Sequence, residues 1–269
     1  MLPRVFALSL RRYIARHRRA PLARRVAAYC AVYLDAYHNK DYAQSSNGER
    51  YVFAVVSRRR NVGCIFDVGA NVGDWTLMAH VLCPAADIHC FEVMDATCER
   101  LAHRVATLPR IKVNAHGLLD RDGEVALTYF PQDTGMTTVM ESPRDEPHAP
   151  ARGRVERGDT YARSHDIRRV DFLKIDVEGA EHLVLEGLRG MIAEGRVDVI
   201  QFEYGTANIL SHWLLCDFYR FFEEHGYQVG KIYPDHVAFR GYHVRDEDFR
   251  GPNYLAVRHE LRDLIAALS

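Results

Sequence analysis

The sequence predicts an α/β protein that combines a doubly wound, mostly parallel sheet with an N-terminal helical extension. Three observations support this fold class. Short apolar segments of strand length alternate with amphipathic helical segments from about residue 61 onward, a glycine-rich turn follows the first apolar segment, and acidic residues end several of the others. Such alternation is typical of βαβ units, whose strands pair in parallel and carry helices on both faces.

Composition limits the class of protein. The chain has 269 residues, 48% of them hydrophobic and 26% charged, which suits one large folded domain. A net charge of -1 argues against a general nucleic-acid binder. No apolar run of 18 residues predicts a spanning helix, and the N-terminus lacks the apolar region of a secretory signal. The six cysteines include no CxxC pair, so we expect reduced thiols in a cytosolic protein, with disulfides as the alternative.

Residues 1–60 are predicted to form a mostly helical, basic extension. Eight arginines precede the first acid, Asp35. Apolar residues among them partly follow helical spacing, so this arm could touch an anionic membrane surface, a phosphorylated substrate or an acidic partner. A solvated helix face is the alternative. The Asn47-Gly48 step predicts a turn before another short helix.

Residues 61–269 are predicted to form a single domain. Its first half has predicted strands at 65–68, 88–91 and 111–115, and predicted helices at 74–82 and 97–108. A strand at 125–130 leads into a stretch rich in proline, glycine and charge. We expect a loop and hairpin insertion at about 125–158, with hairpin pieces at 137–140 and 154–157. A stretch this long is usually a lid, a binding loop or disordered.

The alternation of strands and helices resumes after the insertion. A strand is predicted at 170–175, a helix at 179–192 and a strand at 197–202. A strongly amphipathic helix follows from Leu210 to about Gly226. Antiparallel strands around 228–233, 237–239 and 254–257 and a last helix complete the prediction.

The glycine-rich turn runs from Asp67 to Gly73, with the sequence Asp-Val-Gly-Ala-Asn-Val-Gly. Gly69 allows a tight reversal and lets a ligand approach the backbone. The spacing differs from the GxGxxG of dinucleotide sites, where a pyrophosphate binds the helix N-terminus. Adenosylmethionine carries an ammonium and a sulfonium instead of a phosphate, and the acid Asp67 suits that charge. An ordinary strand-turn-helix with a capping acid is the alternative.

A second acid, Glu92, ends the next predicted strand. In doubly wound sheets an acid at this place accepts hydrogen bonds from both ribose hydroxyls of a bound nucleoside, although a solvated glutamate would look the same in sequence. His116 ends the third strand and is a candidate to line the same pocket. The predicted cofactor-binding residues are Asp67, Gly69, Ala70, Asn71, Gly73, Glu92, His116 and Asp176.

Three further acids are the predicted catalytic residues. Asp176 stands at the end of the strand at 170–175, Glu178 follows it, and Glu203 ends the next strand. Ligands of open α/β sheets bind at this edge. The three carboxylates could orient a hydroxyl, take its proton or hold a divalent cation. No HExxH or CxxC motif supports the cation, and no metal site is predicted. Glu181 is expected to favour the helix N-terminus.

The motifs in this order resemble the FkbM family of adenosylmethionine-dependent methyltransferases. The matching segments are residues 66–73, the pair Phe91-Glu92 and residues 173–181, with further similarity at 47–49 and 253–257. The resemblance implies a class I, Rossmann-like methyltransferase fold, with a seven-stranded sheet whose last strand is antiparallel. It also implies O-methylation of sugars, glycolipids or polyketide-type products. The chain departs from the family pattern at Val93, often a proline, and at Gly158-Asp159, often Leu-Asp.

The leading interpretation is therefore an adenosylmethionine-dependent O-methyltransferase acting on a hydroxyl of a sugar, glycolipid, glycan or polyketide-type product. A catalytically silent binding module is one alternative. A nucleotide-binding oxidoreductase is another, against which the missing GxGxxG argues. We expect a small-molecule or glycan acceptor, no nucleic acid and a cytoplasmic location, with peripheral contact at the inner face of a membrane through the basic arm as a further option. We expect residues 131–158 to lie over or beside the acceptor.

Overall fold

The computed structural model describes residues 4–141 and 146–269. The helices are α1 (Arg4–Arg16), α2 (Pro21–Tyr37), α3 (Glu49–Arg59), α4 (Asp74–Leu82), α5 (Asp95–Val105), α6 (Gly158–Ser164), α7 (Glu181–Gly187), α8 (Arg189–Ala193), α9 (Asn208–Ser211), α10 (Leu215–Glu224) and α11 (Arg262–Leu268). The strands are β1 (Cys64–Val68), β2 (Asp87–Phe91), β3 (Ile111–Asn114), β4 (Gly117–Leu119), β5 (Gly123–Tyr129), β6 (Ala149–Arg157), β7 (Val170–Ile175), β8 (Val197–Glu203), β9 (Tyr227–Ile232), β10 (Val237–Phe239) and β11 (Asn253–Arg258).

The central sheet has the strand order β10-β9-β11-β8-β7-β1-β2-β3. Strands β3, β2, β1, β7 and β8 are parallel, whereas β11 runs antiparallel between β8 and β9. The predicted fold class is therefore confirmed, including the antiparallel last strand. Strand β10 adds an eighth strand at the edge, where it pairs antiparallel with β9.

Helices cover both faces of this sheet because alternate residues of each strand point to opposite sides. In β1, Ile65 belongs to a core with helices α3, α4, α5 and α11, while Phe66 belongs to a core with α6, α7, α8 and α10. Both side chains are fully buried. A strand buried on both faces explains the continuous apolar run that predicted it.

The N-terminal 60 residues divide into two parts. None of the residues of α2 is buried, and residues 8–16 of α1 are exposed. Helix α3 differs, because Val52, Phe53 and Val56 are buried against the sheet. Just before it, Gly48 has φ +99°, and a Cβ there would lie 2.1 Å from the Tyr233 carbonyl oxygen. Residues 48–59 thus pack as part of the domain, and the exposed extension ends earlier than the predicted boundary at residue 60.

The insertion forms a small second sheet in the order β4-β6-β5. Residues 149–155 of β6 pair antiparallel with the whole of β5, so the hairpin extends well beyond the predicted piece at 154–157. The predicted piece at 137–140 is reduced to a single bridge between Thr128 and Thr138. Strand β4 was not predicted, because three residues are too short to display an alternating pattern. Residues 142–145 of the predicted insertion lie outside the described part.

Two predicted helices are interrupted in the structure. The helix predicted at 179–192 is divided into α7 and α8 at Leu188. The amphipathic helix predicted from Leu210 is divided into α9 and α10, with His212 at φ +55° between them. Among the described helices, none is long and apolar enough to cross a bilayer.

Candidate active site

The glycine turn after β1 lies directly against the turn after β7. The backbone N–H groups of Gly69 and Ala70 both donate to the Phe91 carbonyl oxygen at 3.0 Å, and the Asp176 N–H donates to the Val68 carbonyl oxygen at 3.0 Å. Gly69 has φ +82°, and a Cβ there would lie 1.8 Å from the Asp176 carbonyl oxygen. Only glycine allows this approach, so residue 69 determines how closely the two turns pack.

Glu92 is held at the rim of the same turn. Its two carboxylate oxygens accept hydrogen bonds from the backbone N–H of Asn71, at 3.0 Å, and of Met94, at 2.9 Å. Burial raises the pKa of this carboxyl above its usual range, although these N–H donors oppose the shift. An ionised carboxylate has about four acceptor positions, so two hydrogen bonds leave capacity for ligand hydroxyls.

A cavity of about 100 Å³ lies between the glycine turn and the insertion sheet. The predicted cofactor residues that line it are Gly69, Asn71, Glu92 and Asp176. Much of its apolar lining comes from the small sheet β4-β6-β5 and the segment before β6: Leu118, Leu119, Leu127, Val139 and Val155. An acid facing an apolar wall suits a nucleoside, which has a ribose at one end and an aromatic base at the other.

The segment 134–138 closes this cavity. The Thr134 hydroxyl donates to Asn71 Oδ1 at 2.7 Å, and the Thr138 hydroxyl donates to the Glu178 carbonyl oxygen at 2.7 Å. Ligand cavities usually measure about 300–1,000 Å³, so a nucleoside-sized ligand requires this segment to move. Residues 134–138 thus border the cavity at the glycine turn, and β6 is a regular strand rather than a loop. A position of residues 131–158 over or beside the acceptor stays a prediction.

Asp67 does not line the cavity, which corrects the expectation of a direct contact with the cofactor. Its side chain is fully buried on the opposite face of the sheet, where the Thr76 hydroxyl donates to Oδ2 at 2.6 Å. Lys174 Nζ lies 3.8 Å from Oδ1, which accepts no hydrogen bond from the described residues. Alternation along β1 turns Val68 toward the cavity and Asp67 away from it.

Three other predicted cofactor residues also lie off the cavity wall. Ala70 packs in the core, and Gly73 has φ +88° where it begins α4. The His116 ring packs edge-on against Phe91 and at a tilt against Tyr161, and its Nε2 lies 3.4 Å from a Glu156 oxygen. Burial lowers the pKa of His116. Ala70, Gly73 and His116 therefore have structural roles in this arrangement, although the sequence predicts them to bind the cofactor.

Asp176, Glu178 and Glu203 do come together, as the sequence analysis expected of adjacent strand ends. One carboxylate oxygen from each lies within 4.8 Å of the others. All three line a second cavity of about 400 Å³, which shares Asp176 and Gly135 with the first. Its remaining lining residues are Tyr42, Asp133, Met136, Thr206 and Ala207. Asp176 therefore stands at the boundary between the two cavities.

Lys174 supplies positive charge to this acidic group. It is buried in β7, and its Nζ lies 2.8 Å from Asp176 Oδ2. Burial lowers the pKa of Lys174, but the carboxylates of Asp176 and Asp67 raise it by more, so the net shift is upward. Carboxylates this close could hold a divalent cation, yet this ammonium already provides the compensating charge.

The pKa values of Asp176 and Glu203 are shifted in opposite directions. Asp176 keeps 42% of its side chain open to the cavity, so its desolvation is partial. Desolvation is outweighed by the ion pair with Lys174 and a hydrogen bond with Glu203, and the pKa of Asp176 is lowered. Burial and the charges of Asp176 and Glu178 raise the pKa of Glu203 well above its usual range. The pKa of Glu203 thus lies above that of Asp176, so Asp176 is the first of the two carboxyls to lose its proton.

Sequence reasoning missed Lys174 and the polar network behind it. Asp67, Lys174 and Gln201 are aligned in register across β1, β7 and β8. Gln201 Nε2 donates to Glu49 at 2.9 Å, and Glu49 also accepts from the side chains of Asn47 and Asn253. A lysine within an otherwise apolar strand, Phe-Leu-Lys-Ile, was the signal available in the sequence.

The turn after β7 is held by Glu181. Its Oε1 accepts from the N–H groups of Val177 and Gly179, both at 3.2 Å. Burial raises the pKa of Glu181 to about 8. This side chain holds the backbone that carries Asp176 and Glu178, in agreement with its expected place in the first helical turn.

Comparisons with known proteins agree with this geometry. Residues 67–229 match the model of the methyltransferase FkbM domain. Methyltransferase 1 of Beauveria bassiana is 32% identical over 143 residues, which cover 46% of this chain and 57% of that protein. Methyltransferase sdnD of Sordaria araneosa is 29% identical over 154 residues, which cover 46% of this chain and 60% of that protein. The chain thus matches less than two thirds of the length of either relative.

Solved structures show weaker likeness. The crystal structure of methyltransferase FkbM from Methylobacillus flagellatus is 18% identical, with a TM-score of 0.46, over 73% of this chain and 44% of that one. Fibrillarin of Aeropyrum pernix, with S-adenosyl-L-methionine bound, is 12% identical, with a TM-score of 0.40, over 74% of this chain and 67% of that one. These scores are too low to carry an argument about the site. The family match, however, covers more than half of the chain, and the strand order is that of class I methyltransferases. The chain belongs to the FkbM family of methyltransferases.

Proposed function

We propose that this protein transfers a methyl group from S-adenosylmethionine to a hydroxyl of a neutral, polyhydroxylated acceptor of the sugar, glycan or polyketide type. One observation carries the proposal. The cavity at the glycine turn and the cavity lined by acids meet at Asp176. A donor bound in the first cavity and an acceptor bound in the second would face each other at that carboxylate.

The first cavity has the groups that adenosylmethionine requires. Glu92 stands where the ribose hydroxyls of a nucleoside bind in doubly wound sheets. Leu118, Leu127 and Val155 offer an apolar surface for the adenine. The bound cofactor supplies an electrophilic methyl group on a positively charged sulfur. Gly69 and Asn71 line this cavity together with Asp176, whose carboxylate suits the cationic end of that cofactor.

The second cavity has the groups that a hydroxyl acceptor requires. Methyl transfer to an oxygen needs an aligned hydroxyl and a group that accepts its proton. Asp176 is ionised and partly exposed, so it can accept a hydrogen bond from the hydroxyl and then its proton. The hydrogen bond with Glu203 helps to keep the pKa of Asp176 low. The acidic lining repels phosphorylated or carboxylated acceptors, which favours neutral ones.

A direct assay tests this proposal. The purified chain is incubated with S-adenosylmethionine that carries a ¹³C-labelled methyl group and with a panel of neutral glycosides and polyketide-type alcohols, and products are identified by NMR. We expect a labelled methyl ether. A labelled N-methyl or C-methyl product would contradict oxygen transfer. Thermal protection by NADH, without protection by S-adenosylmethionine, would instead support the oxidoreductase. The cytoplasmic location and the lack of a nucleic-acid partner stay predictions from the sequence.

A further inference from the structure

The N-terminal helix α2 exposes an apolar stripe that no described residue covers. Leu22, Val26, Tyr29, Tyr33 and Tyr37 follow one another at intervals of three or four residues, which places them on one face of the helix. Leu22 is 74% exposed and Tyr29 is 77% exposed. A helix of a globular protein normally packs such a stripe against its own core, so an uncovered stripe indicates a docking surface.

The N-terminal segment also differs from the rest of the chain in its charge. The first 34 residues contain eight arginines and no acid, which leaves 27 basic against 36 acidic residues in the remainder. The arginines are Arg4, Arg11, Arg12, Arg16, Arg18, Arg19, Arg24 and Arg25. Within α1, Leu10, Tyr13 and Ile14 fall on one side of the helix and Arg11, Arg12 and Arg16 on the other. We call residues 8–37 the basic arm.

The apolar stripe and the positive charge together indicate what the basic arm binds. A second copy of the chain would bring two arms of the same charge together, which opposes self-association through this surface. A folded acidic protein would match the charge, but three tyrosines along one stripe suit a lipid interface, where amphipathic aromatic rings concentrate. Basic amphipathic helices bind anionic bilayers through arginine at the headgroups and apolar side chains below them. We propose that the basic arm docks this protein on an anionic lipid surface.

The arm is held next to the acidic cavity. Helix α2 ends at Tyr37, and Tyr42, five residues later, lines that cavity. Between them Asn39 is buried, and its Nδ2 donates to the carbonyl oxygens of Ile232, at 3.0 Å, and Asn47, at 2.8 Å. A docked arm would keep the mouth of this cavity near the bilayer. An acceptor linked to a lipid could then reach this cavity from the bilayer. This consequence rests on the proposed function, whereas the docking of the arm does not.

Vesicle co-sedimentation of the full chain tests the docking without any enzymatic readout. We expect binding to vesicles of phosphatidylcholine mixed with phosphatidylglycerol, weakening with added salt, and little binding to phosphatidylcholine alone. Each basic residue at such a surface contributes about 1 kcal/mol, or about fivefold in binding. The double variant Arg11→Gln, Arg12→Gln should therefore bind about 25-fold more weakly. The variant Tyr29→Ser, Tyr33→Ser should also weaken binding.

The matched control is Arg163→Gln, Arg168→Gln, which makes the same charge change at exposed residues outside the arm. It should bind anionic vesicles as the wild type does. Circular dichroism and Tm of each variant establish that the domain is folded. Absence of binding, equal binding to neutral vesicles, or equal loss in the control would overturn the proposal. So would a dimer in sedimentation velocity that Tyr29→Ser, Tyr33→Ser dissociates, because the stripe would then be an interface between copies.

Discussion

Lys174 Nζ lies 2.8 Å from Asp176 Oδ2, so a buried ammonium is paired with a carboxylate at the boundary between two cavities. The pair joins the core to the site, because Lys174 also lies 3.8 Å from the buried Asp67. A charge inside a sheet is tolerated only when it is paired and hydrogen-bonded. Lys174 therefore does two things: it neutralises Asp67 in the core and keeps Asp176 ionised at the surface of the cavity.

Removing the ammonium should be costly for stability. Lys174→Met keeps the length of the side chain and leaves Asp67 without its positive neighbour. Loss of one partner of a buried ion pair costs about 3–5 kcal/mol. We expect a decrease of that size in the free energy of unfolding, measured by urea denaturation. The control Lys112→Met, at an exposed residue of β3 whose Nζ lies 5.4 Å from the centre of the Tyr161 ring, should change it by no more than about 1 kcal/mol. Similar values for the two variants would contradict the role of Lys174 in the core.

The sequence predicted the fold well because alternation of apolar strands and amphipathic helices is a local signal. It could not predict which side chains face the ligand. Asp67 and Glu92 look alike in sequence, each as an acid at or near a strand end, yet Glu92 lies beyond its strand and reaches the cavity, whereas Asp67 lies within β1 and faces the core. The row of Asp67, Lys174 and Gln201 depends on register between strands that are far apart in the chain.

Glu92 should matter for cofactor affinity. Glu92→Ala removes the acceptor proposed for the ribose hydroxyls and also the acceptor for the N–H groups of Asn71 and Met94. A hydrogen bond to a charged group is worth about 1.5–3 kcal/mol, so we expect the Kd for S-adenosylmethionine to rise by about 10- to 150-fold in calorimetric titration. Glu99→Ala, an exposed change on α5, is the matched control. Unchanged affinity of Glu92→Ala for S-adenosylmethionine would contradict the proposal that Glu92 binds the ribose hydroxyls.

Glu181 should make stability depend on pH in a defined direction. Its pKa in the folded protein is raised to about 8, above the value of 4.5 expected in the unfolded chain. The native state therefore binds the proton more tightly, and this contribution to stability is complete below pH 4.5 and disappears as pH rises through 8. Glu181→Gln lacks the titration but keeps a carbonyl oxygen for the N–H groups of Val177 and Gly179.

The free energy of unfolding of the wild type and of Glu181→Gln is measured from pH 5 to pH 9. The wild type should lose at least about 1 kcal/mol relative to Glu181→Gln over this range, because one unit of pKa shift corresponds to about 1.4 kcal/mol. Groups far from residue 181 titrate equally in both proteins, so the difference reports Glu181 and the neighbouring carboxyls of Asp176 and Glu203 that feel its charge. A difference that stays constant with pH would show that this carboxyl has an ordinary pKa.

Asp176 should matter more for turnover than for cofactor binding. Asp176→Asn keeps the shape of the side chain and an oxygen that can accept from Lys174, but it removes the charge that receives the acceptor proton. Positioned general bases contribute about 10²–10⁴-fold, so kcat with any acceptor identified by the labelled-methyl assay should fall by that factor. The Kd for S-adenosylmethionine should rise by a smaller factor, because Asp176 also lines the cofactor cavity. Because the Lys174 ion pair is weakened, the free energy of unfolding should fall by about 1.5–3 kcal/mol, the range for a hydrogen bond to a charged group.

A second variant, Lys174→Gln, tests the charge alone, since it removes the ammonium that lowers the pKa of Asp176 and leaves the carboxylate in place. Its kcat should fall at neutral pH and recover as pH rises, whereas that of Asp176→Asn should stay low at every pH. Full turnover in Asp176→Asn, with only the loss of stability, would assign Asp176 a structural role instead.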